Sequence, residues 1–279
     1  MRALFLIPGD AIRQLQALPA VAAVAEQLGF AMQVACAPAV APVWKLLPAV
    51  EKVIPFNFAD ATLADWANLL GNVREPDFQA CINLAGGRQV DLMLSMSHIP
   101  ARIAAGGFSA TEKVSVSDQG WPAQALEAYL RPIGVRLDAD AFRLRLPQKL
   151  LQEATAALPP GEGPMLLLSP AGVPGDWPES RWQELPQAIR TRLPSLRSLS
   201  LPPAGGSVLE RAARIATSDV VLASNPLSEE LALLCGVPLV ALGRSDNSLP
   251  ARQGVKGLTA AQGLGDLSSD AVLAALGFG

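Results

Sequence analysis

The first turn of the chain, Pro8-Gly9-Asp10, interrupts an apolar run from Ala3 to Ile7 just before a run with helical spacing begins. A carboxylate at that point has two uses. It can cap the helix by accepting from its first backbone N–H groups, or it can stand at a site as a general base. Position 13 is Arg, so no capping box reinforces the first use. Other reactive side chains are sparse. The single histidine, His98, precedes Ile99-Pro100 and reads as an ordinary loop or helix-end residue, which excludes a histidine metal cluster and any triad needing a second histidine. Cys36, Cys81 and Cys235 lie far apart in apolar runs without metal-ligand spacing, and read as reduced core thiols. Asp118, Asp138 and Asp140 have no partner spacing and read as solvated turns. Gly205-Gly206-Ser207, with Arg211 and Arg214 beyond, is a Gly-rich strand-to-helix turn. Such turns cradle phosphates, but they also form tight loops that need no ligand, and the second use is the reading adopted. Arg244 and Arg252 read as solvated surface charge.

The elements that must position these residues follow from composition and periodicity. Half of the 279 residues are hydrophobic, enough for two filled cores at a length that favours two domains. The net charge of −3 argues against bulk nucleic-acid binding and against a polybasic membrane anchor. No stretch approaches the roughly 18 to 20 apolar residues of a membrane span, and "MRALFLI" is too short for the apolar region of a signal peptide. A cytoplasmic protein without a transmembrane segment is expected. Short apolar runs ("ALFLI", "MQVACAP", "KVIPF", "FQACINL", "ARIAAGG") read as strands buried on both faces. Helical patterns lie between them; Pro19 is expected to bend or break the first, and Gly29 to end it. In "ATLADWANLLGNVRE", Leu63, Trp66, Ala67 and Leu70 share one face. Further on, "FRLRLPQKLLQEATAALPPGEGP" carries a strand, a helix and a Pro/Gly linker at 159–164, which sets domains at 1–158 and 159–279. Alternation then restarts with strands "MLLLSP", "SLRSLSLP", "DVVLAS" and "PLVAL", and the pair Ser207 and Glu210 forms a capping box. Two doubly wound, Rossmann-like α/β domains facing a central cleft are expected, with ligands at the carboxyl ends of the strands. The five tryptophans are scattered among helices and are assigned to packing.

Four segments, in order along the chain, resemble glycosyltransferase family 9, the ADP-heptose:lipopolysaccharide heptosyltransferases of GT-B fold. They are "GDAIRQLQALPAVAAV", "PAVAPVWKLLPAVEKVIPF", "LLLSPAGVPGDWPESRWQEL" and "ATSDVVLASNPLSEELALLCGVPLVAL". The third carries a Trp-Pro-x-x-x-Trp pattern at Trp177, Pro178 and Trp182, and the fourth ends in Gly-Val-Pro. The resemblance implies that Asp10, after Gly9, is the base that deprotonates the acceptor hydroxyl. It also implies that the 169–182 and 224–231 loops line the donor site, with Ser169, Gly175, Trp177, Asn225, Ser228 and Glu230 as donor-side positions.

Those positions depart from the family pattern. The donor loop of the family reads Asp-Ser/Thr-Gly-x-x-His, and here it reads Asn225-Pro226-Leu227-Ser228-Glu229-Glu230. Pro226 has no N–H to offer a diphosphate, Leu227 crowds the approach, and Gly175 stands where the family has a phosphate-binding lysine. Glu230 replaces the histidine with a carboxylate; about 4 Å from a phosphate charge it would cost about 4 kcal/mol at an effective dielectric near 20. Two functions follow. One is a metal-independent, cofactor-free inverting transferase moving a sugar from a nucleotide-sugar, an ADP-sugar by resemblance, to a cell-envelope glycolipid or glycan, at the inner face of a membrane. The other is a catalytically degenerate descendant that serves as a binding or assembly subunit with a protein partner. No nucleic acid partner and no metal is expected for either.

Overall fold

In the computed structural model, residues 1–74 and 77–278 are described, and they form two compact units, Met1–Phe142 and Arg143–Gly279. The first unit is built on a six-stranded parallel sheet in the order β3-β2-β1-β4-β5-β6. Its strands are β1 (Arg2–Leu6), β2 (Ala31–Cys36), β3 (Val50–Pro55), β4 (Phe78–Asn83), β5 (Ala101–Ala104) and the two-residue β6 (Glu112–Lys113). Its helices are α1 (Ala11–Leu28), α2 (Leu63–Arg74), α3 (Arg88–Ser95) and the short α4 (Pro122–Ala125) and α5 (Glu127–Leu130), with a 3₁₀ segment at Pro38–Leu46. The central strands are mostly apolar because helices cover both faces, with Gln33 and Asn83 as buried polar exceptions. Leu4 and Leu6 of β1 pack with Ile54, Leu69, Phe78 and Val90 in one core.

The second unit has a five-stranded parallel sheet in the order β11-β10-β9-β7-β8. Its strands are β7 (Met165–Ser169), β8 (Arg197–Ser200), β9 (Val220–Ala223), β10 (Leu239–Leu242) and β11 (Val255–Leu258). Its helices are α6 (Gln148–Ala156), α7 (Glu179–Arg190), α8 (Val208–Ala216), α9 (Pro226–Cys235) and α10 (Ser269–Ala275). Trp177 and Trp182 meet edge to face, 5.2 Å between ring centroids, within its core.

Four sequence expectations are corrected. Helix α1 runs unbroken through the buried Pro19, because the packing of Leu15, Leu18, Val21 and Val24 outweighs one lost backbone hydrogen bond. Leu63, at the first turn of α2, is 82% exposed, and the buried face of that helix is centred on Leu69 and Val73. The 142–146 segment forms no strand; a single ladder-like bond joins Leu144 N to Leu234 O at 2.9 Å. The break between compact units comes at Phe142/Arg143 rather than in the 159–164 segment. The reason is that α6 packs on α8, with Leu150, Ala154 and Ala157 facing Ala213 and Arg214. The helix pattern expected after "ATLADWANLLGNVR" also covered Glu75, which lies outside the described residues.

Candidate functional site

Each sheet reverses its winding once, and in open α/β sheets ligands bind where the order reverses, beyond the strand carboxyl ends. In the first unit that point lies between β1 and β4, and in the second between β7 and β9.

At the first, Gly9 adopts φ +102, and a side chain there would press on Arg13. Asp10 follows as N-cap of α1, exposed, with its Oδ1 accepting from Arg13 N at 3.0 Å. The carboxylate therefore caps the helix, and its second oxygen is left available to solvent or a ligand. The neighbouring Gln14 is fully buried. Its Nε2 donates to Ile7 O at 3.1 Å and its Oε1 accepts from Trp44 Nε1 at 3.1 Å, tying the end of β1 to the 3₁₀ segment. Sequence reasoning missed Gln14; a polar residue on the apolar stripe of α1 was the available signal.

At the second, Ser169 ends β7 and Ser228 lies in the first turn of α9, both fully buried, their hydroxyls 2.8 Å apart. Arg211 of α8, 7% exposed, donates to Ser228 Oγ at 3.0 Å, to Ser169 Oγ at 3.4 Å and to Pro202 O at 2.7 Å. Its partners are neutral, and burial, with Arg214 adding to it, pulls its pKa down. Asn225 is the N-cap of α9, and its Oδ1 accepts from Leu227 N at 3.1 Å and Ser228 N at 3.3 Å. Its Nδ2 donates to Pro203 O at 3.1 Å. In the facing loop, Asp176 accepts from Gly172 N at 2.9 Å and from Trp177 N at 2.7 Å, and Ala171 N donates to Ser224 Oγ at 2.9 Å. Gly175, at φ +85, has open space where a side chain would begin. The indole N–H of Trp177 is spent on Leu267 O at 2.8 Å, so the ring is held in the core. A pocket of about 950 Å³ opens beside this loop, lined by Gly172, Gly175, Trp177, Ser198, Ser200 and Pro203.

Glu230 does not stand as an uncompensated carboxylate. It is 1% exposed and accepts from Arg244 Nη1 at 2.8 Å. Arg244 also lies 3.7 Å from Glu229 and donates to Ser248 O at 2.8 Å, so it is a part-buried, paired cation rather than solvated surface charge. The repulsion expected from Glu230 toward a bound phosphate is accordingly offset from within the protein. Two buried carboxylates share that one guanidinium, and burial, with Glu230 beside it, pushes Glu229 up to about 7 against the pull of Arg244. The structure thus brings Ser169, Asn225 and Ser228 together with Arg211, pairs Glu230 of α9 with Arg244, and keeps Asp10 and Gly9 in the first unit. Among the described residues, no group of three or more His, Cys, Asp or Glu is placed to hold a metal ion, and no helix is long and apolar enough to cross a membrane.

No family model and no curated protein matches the sequence. Solved structures do. The glycosyl transferase family 9 protein of Veillonella parvula DSM 2008 is 13% identical with a TM-score of 0.79, over 99% of this chain and 96% of that one. Escherichia coli ADP-heptose lps heptosyltransferase II is 16% identical with a TM-score of 0.73, over 99% and 98%. Escherichia coli heptosyltransferase WaaC, solved with ADP, is 16% identical with a TM-score of 0.70, over 99% of both chains. At such identities the likeness is one of fold: two parallel sheets with covering helices, the GT-B-like α/β fold of glycosyl transferase family 9 and the heptosyltransferases.

Proposed function

We propose that this chain keeps the glycosyltransferase architecture without the family's way of holding a donor diphosphate, and acts as a non-enzymatic binding or assembly subunit. One observation carries this reading: the backbone N–H groups around the ends of β7 and β9 are already taken by the protein's own side chains. Leu227 and Ser228 donate to Asn225, Gly172 and Trp177 to Asp176, and Ala171 to Ser224. Pro226 has no N–H to give. An incoming diphosphate would have to displace the Asp176 carboxylate from two charge-assisted bonds, each contributing about 1.5 to 3 kcal/mol, with no lysine at Gly175 to compensate. Binding of ADP and ADP-sugars no tighter than about millimolar is therefore expected, measured by calorimetry on the full chain. Low-micromolar binding of ADP would overturn the reading and restore that of a sugar transferase with Asp10 as base.

One observation favours a second reading. The 950 Å³ pocket lies within the usual range of small-molecule sites, about 300 to 1,000 Å³, and Arg211 supplies a buried positive charge near the loop that lines it. It supports a transferase that takes a different nucleotide-sugar in another pose and passes the sugar to a cell-envelope glycolipid or glycan. The same titration with UDP-, GDP- and CMP-sugars separates the two readings. Micromolar binding of one of these establishes the transferase reading, and silence across the panel leaves the protein-partner role.

A further inference from the structure

A separate cavity of about 300 Å³ lies wholly within the first unit, at the carboxyl ends of β4 and β5. Asn83, Asp91, Tyr129 and the two glycine pairs Gly86-Gly87 and Gly106-Gly107 line it. Asn83 is 3% exposed, and its Oδ1 accepts from Ala85 N at 3.0 Å, which fixes the amide orientation. Its Nδ2 has no hydrogen-bond partner among the described residues. The amide nitrogen is not sealed from solvent but opens on the cavity, where a ligand or water can reach it. The hydroxyl of Tyr129, a residue 7% exposed, likewise has no partner among the described residues. Burial raises the phenol pKa against the influence of Arg13, so the group stays an O–H that can donate and accept.

The opposite wall is held in place by Asp91. Its carboxylate accepts from Ser109 Oγ at 2.6 Å, from Phe108 N at 3.3 Å and from Ser109 N at 3.4 Å, which draws the 106–109 turn onto α3. A Cβ on Gly107 would collide with Asp91 Oδ1, so glycine is required for that approach. At the start of α3 the N-cap is Gly87, which offers no side-chain cap. The cavity thus presents donors (Asn83 Nδ2, the first turn of α3) and acceptors (Tyr129 Oη, Asp91) at close range.

Mixed donors and acceptors suit hydroxyl groups, each of which needs both. The Asp91 carboxylate on one wall disfavours a phosphate or carboxylate ligand beside it, while Arg13 acts at the Tyr129 end. The volume sits at the small end of ligand sites, room for one ring. We propose that this cavity binds a single neutral sugar ring, with Asn83 Nδ2 and the Tyr129 hydroxyl bonded to its hydroxyls. The assignment is independent of the donor-side reading, since a transferase and a binding subunit could both use it.

The test is ligand-observed NMR titration of the full chain with D-glucose, D-galactose, D-mannose and, separately, inorganic phosphate. Two variants accompany the wild type. Tyr129→Phe removes only the hydroxyl, and Asn83→Asp removes the donor while keeping the acceptor for Ala85 N. Binding of at least one hexose is expected, weakened about tenfold in each variant, the equivalent of one hydrogen bond, with no phosphate binding. Absence of binding by all three hexoses overturns the proposal, as does unchanged hexose affinity in Tyr129→Phe. Phosphate binding that Asn83→Asp abolishes makes the cavity an anion site and overturns it too. Should Asn83→Asp fail to fold, the wild type and Tyr129→Phe still decide.

Discussion

At the scale of single residues, Asp10 shows how one carboxylate can serve stability and chemistry at once. Its bond to Arg13 N makes it the cap of α1, and removing such a cap costs about 1 kcal/mol. Asparagine caps about as well as aspartate but cannot take a proton as a base. Asp10→Ala is therefore expected to lower stability by about 1 kcal/mol, and Asp10→Asn to leave it unchanged, both read from denaturant melts. If a transferase activity is found, Asp10→Asn should cut turnover by roughly two to four orders of magnitude; full turnover in that variant removes Asp10 from the chemistry. The sequence pointed to Asp10 through the Gly9-Asp10 turn. It did not reveal Gln14, Asn83 or Tyr129, and it met Arg211 only as a charge beyond the Gly205-Gly206 turn, because each is defined by what tertiary structure brings beside it. Arg211 sits on an ordinary amphipathic helix pattern, and only the buried hydroxyls of Ser169 and Ser228 give it meaning.

At the scale of elements, α9 is fastened to the chain beyond β10 by Arg244, which reaches Glu230 at 2.8 Å and Glu229 at 3.7 Å. Glu229 is the more distant of the two carboxylates from that guanidinium, and burial above all, with Glu230 beside it, raises its pKa to about 7 from 4.5. A carboxyl group that binds its proton more tightly when folded is least costly at low pH. Its contribution is fully favourable below about 4.5 and is lost as pH rises through about 7. Glu229→Gln mimics the protonated form. Its melting temperature should match the wild type near pH 4.5 and exceed it by several degrees at pH 8, a difference on the order of 3 kcal/mol. A constant offset across that range would show that Glu229 does not titrate as described. Most strands and helices were legible beforehand, since runs buried on both faces admit few alternatives. Strand β11 was not: Lys256 and Gly257 interrupt its apolar pattern at the sheet edge. The continuity of α1 through Pro19 was hidden for the opposite reason, a local rule overridden by packing on both sides of it.

At the scale of the molecule, the Pro/Gly segment 159–164 looked like the natural domain boundary, and composition supported it. Contacts place the division earlier. Residues 143–158 belong with the second unit through the Leu144–Leu234 backbone bond, the approach of Arg143 to Gly236, and the packing of α6 on α8. Composition reads local stiffness, whereas a domain boundary is set by where buried contacts cease. Two fragments ending or beginning at the compact division, 1–142 and 143–279, are therefore expected to unfold cooperatively on heating, followed by circular dichroism. The shorter fragment 159–279 loses the strap at 143–146 and α6, and exposes the face of α8 around Ala213 that α6 covers. Uncovering apolar surface costs about 25 cal/mol per Å², so losing even one helix face lowers stability by roughly a few kcal/mol. In a domain of this size that lowers the melting temperature by about 5 to 15 °C relative to 143–279. Equal melting temperatures for 159–279 and 143–279 would return the boundary to the Pro/Gly segment and reduce α6 to an appendage of the linker.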